Sequence, residues 1–188
     1  MRVRSRGLRH GTLAVTLATG LSACSLLPSH WWPAPAPPPE LRFERITLRH
    51  LPCFGGGCPT YTVTVFGSGA VHYDGRHGVA VHGRRHGRAT PVSLKRLRIL
   101  LAEPQFYWMP ERFVPLHENC GNWALDASTD ILQLKSTHLH KHIVHYLGCH
   151  DAPALLGQIE HAVDAAAGDA RWVSGVAADA GSGANARQ

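Results

Sequence analysis

A chain of 188 residues, 44% hydrophobic and 17% charged, has enough material for one hydrophobic core. Its formal charge of +6 suggests a polyanionic partner such as nucleic acid, but four of its nineteen cations, Arg2, Arg4, Arg6 and Arg9, lie in an N-terminal leader that reads as discarded. The fifteen that remain face thirteen acids, a net of +2, and that excludes a nucleic-acid reading based on charge.

The leader continues into an apolar run, Thr12 to Leu21, of about ten residues. A spanning helix needs ~20, so the run reads as an export signal and not as a permanent membrane segment. It closes on Leu21-Ser22-Ala23-Cys24, which resembles the lipobox of bacterial lipoproteins. The resemblance implies a signal peptide at residues 1–23 and acylation of Cys24, and Ser25 in place of Asp implies sorting to the outer membrane. Two acyl chains anchor stably where one binds only marginally. The other reading is cleavage after Ala23 that leaves a free thiol. Residues 24–40 then form a tether, in which Pro28 to Pro39 favours an extended polyproline rod on the order of 40 Å long at ~3.1 Å per residue. Trp31 and Trp32 lie close enough to Cys24 to rest at the membrane interface. A single domain is expected over 41–173, followed by a frayed Gly/Ala/Ser/Asp tail over 174–188.

Within the domain, Arg42–Arg49 alternates for most of its length, and Tyr61–Phe66 is β-branched and aromatic. Ala70–Tyr73 follows a Gly-Ser-Gly turn and Val79–His82 follows Asp74-Gly75, which together read as a run of antiparallel hairpins. Thr90 caps a helix with Pro91 at its first position; Val92, Leu94, Leu97, Leu100 and Leu101 carry its stripe to about Glu103, where Pro104 ends it. The aromatic segment Pro104–Pro115 reads as irregular cover for an open side of the core. Thr129–Lys135 and His138–Leu147 are strands joined at Ser136-Thr137, and Ala152–Ala167 is a helix between Asp151 as N-cap and Gly168. The order ββββ-α-ββ-α implies an α+β fold: an antiparallel sheet of about six strands with two helices packed on one face, stapled by disulfides. Arg84, Arg85 and Arg88, with Lys95, Arg96 and Arg98 after them, read as a solvated loop and helix face; lipid headgroups or lipopolysaccharide phosphates are the alternative partners.

Four cysteines remain besides Cys24, and an even number in an exported chain reads as disulfides with three connectivities open. Cys120 precedes one strand of the last hairpin and Cys149 follows the other, so a bridge there would close its open end. Cys53 and Cys58 are then left to each other across Phe54-Gly55-Gly56-Gly57, whose glycines can take the backbone angles of a tight closure. The competing readings of this loop are weaker. A redox pair wants Cys-x-x-Cys before a helix; a zinc knuckle wants close pairs, whereas Cys120 and Cys149 are 29 positions apart. An anion-cradling glycine loop lacks the Gly-Lys-Ser/Thr and the helix of a P-loop. Pro52-Cys53-Phe54-Gly55, with Cys58-Pro59-Thr60-Tyr61 behind it, is similar to the Pro-Cys-Phe-Gly-x-Cys-Pro-x-Tyr signature of the bacterial family DUF6438. His145-Tyr146-Leu147-Gly148-Cys149 and a closing helix followed by Trp172 extend the resemblance over about residues 45–173. This chain has three glycines where the family usually has a shorter Gly-x. The family carries no assigned activity, so the resemblance implies a fold and no catalytic residues.

Thirteen of the fourteen histidines follow the leader. His138, His140 and His142 alternate, so in a strand they would share a face and could hold zinc or copper with an open position; a polar strand face in water is the competing reading. All thirteen protonated would carry the mature chain from +2 to +15, which points to weakness in acid. There is no Gly-x-Ser-x-Gly and no His-Glu-x-x-His, and Asp126 with Asp130 is the nearest thing to a carboxylate pair. The expected protein is therefore an uncharacterised envelope lipoprotein on the inner leaflet of the outer membrane, facing the periplasm as a non-catalytic binding or structural module. Its acyl chains engage the membrane, an envelope protein or peptidoglycan is the expected partner, and no cofactor is expected. The alternatives are a Zn or Cu module using His138, His140 and His142, and a thiol redox protein using Cys53 and Cys58.

Overall fold

The computed structural model describes residues 40–175; the leader, Cys24, most of the tether and most of the tail lie outside the described residues. Seven strands form one sheet: β1 (Arg45–His50), β2 (Thr60–Phe66), β3 (Ala70–His77), β4 (Gly83–Arg88), β5 (Arg112–Phe113), β6 (Thr129–Lys135) and β7 (His140–Tyr146). Their order is β4-β3-β2-β1-β6-β7-β5, with β1 in the middle. Four helices accompany them: α1 (Pro91–Leu101), α2 (Pro104–Trp108), α3 (Ala154–Ala167) and α4 (Ala170–Val173).

The period-two pattern decides which side of the sheet is covered. Ile46 and Leu48 of β1, Val63 and Val65 of β2, and Leu132 and Leu134 of β6 turn to the same face and are buried. Leu156, Ile159 and Val163 of α3 meet them, and Leu94, Leu97 and Leu101 of α1 pack alongside α3. Each fully buried aliphatic side chain stabilises the fold by about 1.5–3 kcal/mol. Helix ends follow local chemistry. Thr90 Oγ1 accepts the Ser93 N–H at 3.1 Å, as the sequence implies, and α3 stops at Gly168, whose φ of 59° is left-handed. Among the described residues no helix is long and apolar enough to cross a membrane.

Several sequence expectations are corrected. The sheet has seven strands and is mixed, because β5 pairs in parallel with β7. The segment after α2 runs along the β7 edge, where the Glu111 carbonyl accepts the Val144 N–H at 2.8 Å and Phe113 is buried; Pro104–Pro115 is thus partly ordered as α2 and β5. Val79–His82 is not a strand. Asp74-Gly75 does not turn: β3 continues to His77, and Gly75 is a close-approach position where a Cβ would collide with the Val81 carbonyl. Ala80 and Val81 give their N–H groups to Val173 and Trp172, and the fourth strand is the arginine segment itself. Arg84, Arg85 and Arg88 therefore stand in an edge strand and not in a loop. Finally, Asp151 does not cap α3, which begins at Ala154 after Pro153; its carboxylate accepts the Asn122 N–H at 2.8 Å.

Both disulfides are formed. Cys53–Cys58 closes the loop between β1 and β2 with a Cα separation of 5.4 Å, and Cys120–Cys149 ties the open end of the β6–β7 hairpin at 5.6 Å.

Candidate functional site

Strand register builds a line of polar residues that no local motif announces. Tyr61 on β2 is paired with His50 on β1, His50 with Asp130 on β6, and Asp130 with His145 on β7. These four side chains form one rung across four neighbouring strands on the helix-covered face. From above, α3 supplies Glu160 and Asp164, four residues apart and so on one side of the helix. His50 donates to Asp130 Oδ1 through Nδ1 at 2.8 Å and to Asp164 Oδ1 through Nε2 at 3.2 Å. His145 Nδ1 lies 3.0 Å from each Glu160 oxygen. The His50 ring also stacks on Tyr61, with centroids 4.2 Å apart. Asp130, Glu160 and His145 are only 3%, 5% and 7% exposed.

Burial opposes charge on His50, but its hydrogen bonds to Asp130 and Asp164 and their negative charges outweigh that, raising its pKa to about 10. Burial raises Asp164 to about 7 against the pull of His50, with Asp169 and Asp130 adding to the rise. Burial likewise raises Glu160 in spite of His145, and raises the Tyr61 phenol. His50 is thus a protonated imidazole clamped between carboxylates, with both ring nitrogens engaged. His50 therefore has no free nitrogen to take a proton from a substrate.

The same shifts set a pH dependence. The contribution of His50 is complete below its ordinary pKa of 6.5 and is lost as pH rises through about 10. Asp164 acts in the same direction. Its pKa is raised from 3.8 to about 7, so the folded chain keeps a proton that the unfolded chain releases, and its contribution falls as pH climbs through that window. The melting temperature is therefore expected to fall steadily from pH 6 to pH 10; a rise across that span would contradict the assignment. At this site alone, lowering the pH from 10 to 6 is expected to strengthen the fold.

Among the described residues no helix covers the opposite face of the sheet. Arg45 and Arg49 of β1, Arg84 and Arg88 of β4, Arg112 of β5 and Lys135 of β6 stand on it by register, and Arg76 of β3 lines the same face. Among the described residues two carboxylates answer these seven cations: Asp74 meets Arg76 at 2.8 Å, and Glu44 bridges Arg45 and Lys135 at 2.7 Å each. Three shallow hollows of about 260, 470 and 230 Å³ follow one another across this face. The first and second share Thr62, and the second and third share Thr47 and Gln133, so they form one interrupted groove from β4 to β7.

The remaining candidates from the sequence are dispersed. His138 lies in the turn before β7, so it does not share a strand face with His140 and His142. His140 Nε2 is 3.1 Å from the Ser136 carbonyl. Among the described residues no group of three or more His, Cys, Asp or Glu is arranged to hold a metal ion. Asp126 sits in the loop ahead of β6 at φ 60°, while the Asp130 carboxylate is held by His50, so the two do not form a catalytic pair. Sequence reasoning missed His50, Glu160 and Asp164, and named His145 only within a family signature. The available signal was parity: each is a polar residue at a position whose neighbours in the pattern, Leu48, Ile143, Ile159 and Val163, belong to the core.

An α+β domain with a mixed seven-stranded sheet, two disulfides and a buried ionic rung is the class that these features define. Residues 44–167 match the family model described as Domain of unknown function (DUF6438), and the chain belongs to that family. No curated protein and no solved structure matches it.

Proposed function

We propose that this chain is an exported, lipid-anchored envelope lipoprotein whose domain is a non-catalytic binding module working from the open sheet face. The observation that carries the reading is the division of polar groups between the two faces. The carboxylates that folding gathers inside are turned on the histidines, with both nitrogens of His50 bonded to Asp130 and Asp164 and Nδ1 of His145 held by Glu160. The polar groups outside line a groove with cations in excess of acids. The four domain cysteines are paired, which supports a scaffold role for the Cys53–Cys58 loop over a redox role. Leu21-Ser22-Ala23-Cys24 supports the anchor.

The anchor is tested by Cys24→Ser in a Gram-negative host. The unaltered chain is expected to incorporate labelled fatty acid and to sediment with outer membranes, and the variant to lose the label and appear in the soluble fraction. An unlabelled parent chain, or a variant that stays with the membrane, would overturn the lipoprotein reading.

A further inference from the structure

We propose that the groove on the open sheet face holds an extended, carboxylate-bearing glycan strand laid across β4, β3, β2, β1, β6 and β7. The proposal rests on the binding-module reading and names the occupant of its surface. Three properties of the face select that chemistry.

The first is shape. The hollows share lining residues and run across the strands, so they suit a chain and not a compact ligand. Six strands at about 4.8 Å spacing give a track of about 24 Å.

The second is the kind of side chain. Thr47, Thr62, Thr64 and Gln133 offer neutral hydroxyl and amide groups along the floor, which can donate to and accept from sugar hydroxyls. Arg49 and Arg84 stand over this floor, and neither is ion-paired among the described residues. A guanidinium engages a carboxylate through two parallel N–H donors, a geometry that lysine cannot reproduce. Seven cations against two carboxylates among the described residues leave the face complementary to a polyanion.

The third is what the face lacks. A bilayer surface would be met by protruding apolar side chains. The exposed ones, Phe54 at 97% and Trp108 at 81% together with Val92, Leu116 and Leu125, belong to loops and to α1 and α2, off the sheet. A single-stranded nucleic acid would want open aromatic rings for stacking. Here Phe66 is packed edge-on to His72 at 4.8 Å, and the Tyr146 hydroxyl donates to the Ala124 carbonyl.

The test is co-sedimentation of the full mature chain, purified in mild detergent, with isolated peptidoglycan sacculi, whose glycan strands and peptide stems carry carboxylates. Vesicles of phosphatidylethanolamine and phosphatidylglycerol form a parallel arm. The chain is expected to pellet with sacculi and to be released by salt. Arg49→Glu with Arg84→Glu should weaken binding at least tenfold, whereas Lys95→Glu with Arg96→Glu on α1 should leave it unchanged. Arg49→Gln with Arg84→Gln, milder for folding, should show an intermediate loss at an unaltered melting temperature. Equal binding by all variants overturns the proposal. Binding to vesicles but not to sacculi overturns the glycan assignment and leaves the binding-module reading standing; binding to neither, by folded protein, overturns both.

Discussion

Replacing His50 with leucine is expected to destabilise the domain by about 3–5 kcal/mol at pH 8, the range found when one partner of a buried ion pair is removed. The loss comes less from the missing attraction than from what remains. Asp130 and Asp164 would face each other's charge beneath α3 with no cation between them, and Asp130 has almost no contact with solvent. Asp164 can relieve this by taking up a proton, since burial already raises its pKa to about 7, so the loss should be smaller at pH 5. Urea unfolding at the two pH values reads both effects. Removing the whole cluster, with His50→Leu, Asp130→Val and Asp164→Leu together, should restore most of the lost stability, because apolar replacements leave no charge to desolvate. A single variant that loses less than about 1 kcal/mol at pH 8 would show that the rung does not carry the charges assigned to it.

The second large effect is expected from the bridge between Cys120 and Cys149. It closes a loop of sequence separation 29 around the whole β6–β7 hairpin, whereas Cys53–Cys58 closes one of separation 5. Constraint of the unfolded chain grows with the logarithm of loop length, so losing the first should remove about 3.6 kcal/mol and losing the second about 2 kcal/mol. Paired Cys→Ala variants, unfolded in urea without reductant, give the comparison. Equal losses would mean that strain or structure in the unfolded chain, and not loop closure, sets the contribution of these bridges.

Much of the frame is legible in the sequence because it depends on local pattern. The alternation of Ile46 and Leu48, the β-branched run of β2, the Thr90-Pro91 start of α1 and the Gly168 end of α3 each state their own conformation. The hairpin that places Cys120 beside Cys149 is local too, which is why that pairing could be derived from the chain order. Other elements depend on partners far away. β4 has no apolar pattern and is a strand only because β3 offers it a ladder. β5, two residues long, exists only because β7 has an open edge. The rung is the extreme case: Tyr61, His50, Asp130 and His145 meet through three separate registers, and a slip of one residue in any of them would turn its members to opposite faces. The His-x-His-x-His segment drew attention because it is compact in sequence, yet its first member falls in a turn.

The two ends of the sheet also decide what the domain does in a crowd. A strand with unpaired N–H and C=O groups is a template on which another chain can extend the ladder. Here one margin is Gly83-Arg84-Arg85-His86-Gly87-Arg88, so a second copy approaching edge-on would bring three guanidinium groups against three. The other margin is Arg112 and Phe113, too short to direct a register, beside the His140-Lys141-His142-Ile143 stretch of β7, which carries a lysine. Both margins are charged and short of apolar pattern, and copies gathered at high density should remain separate molecules and not seed a growing fibre.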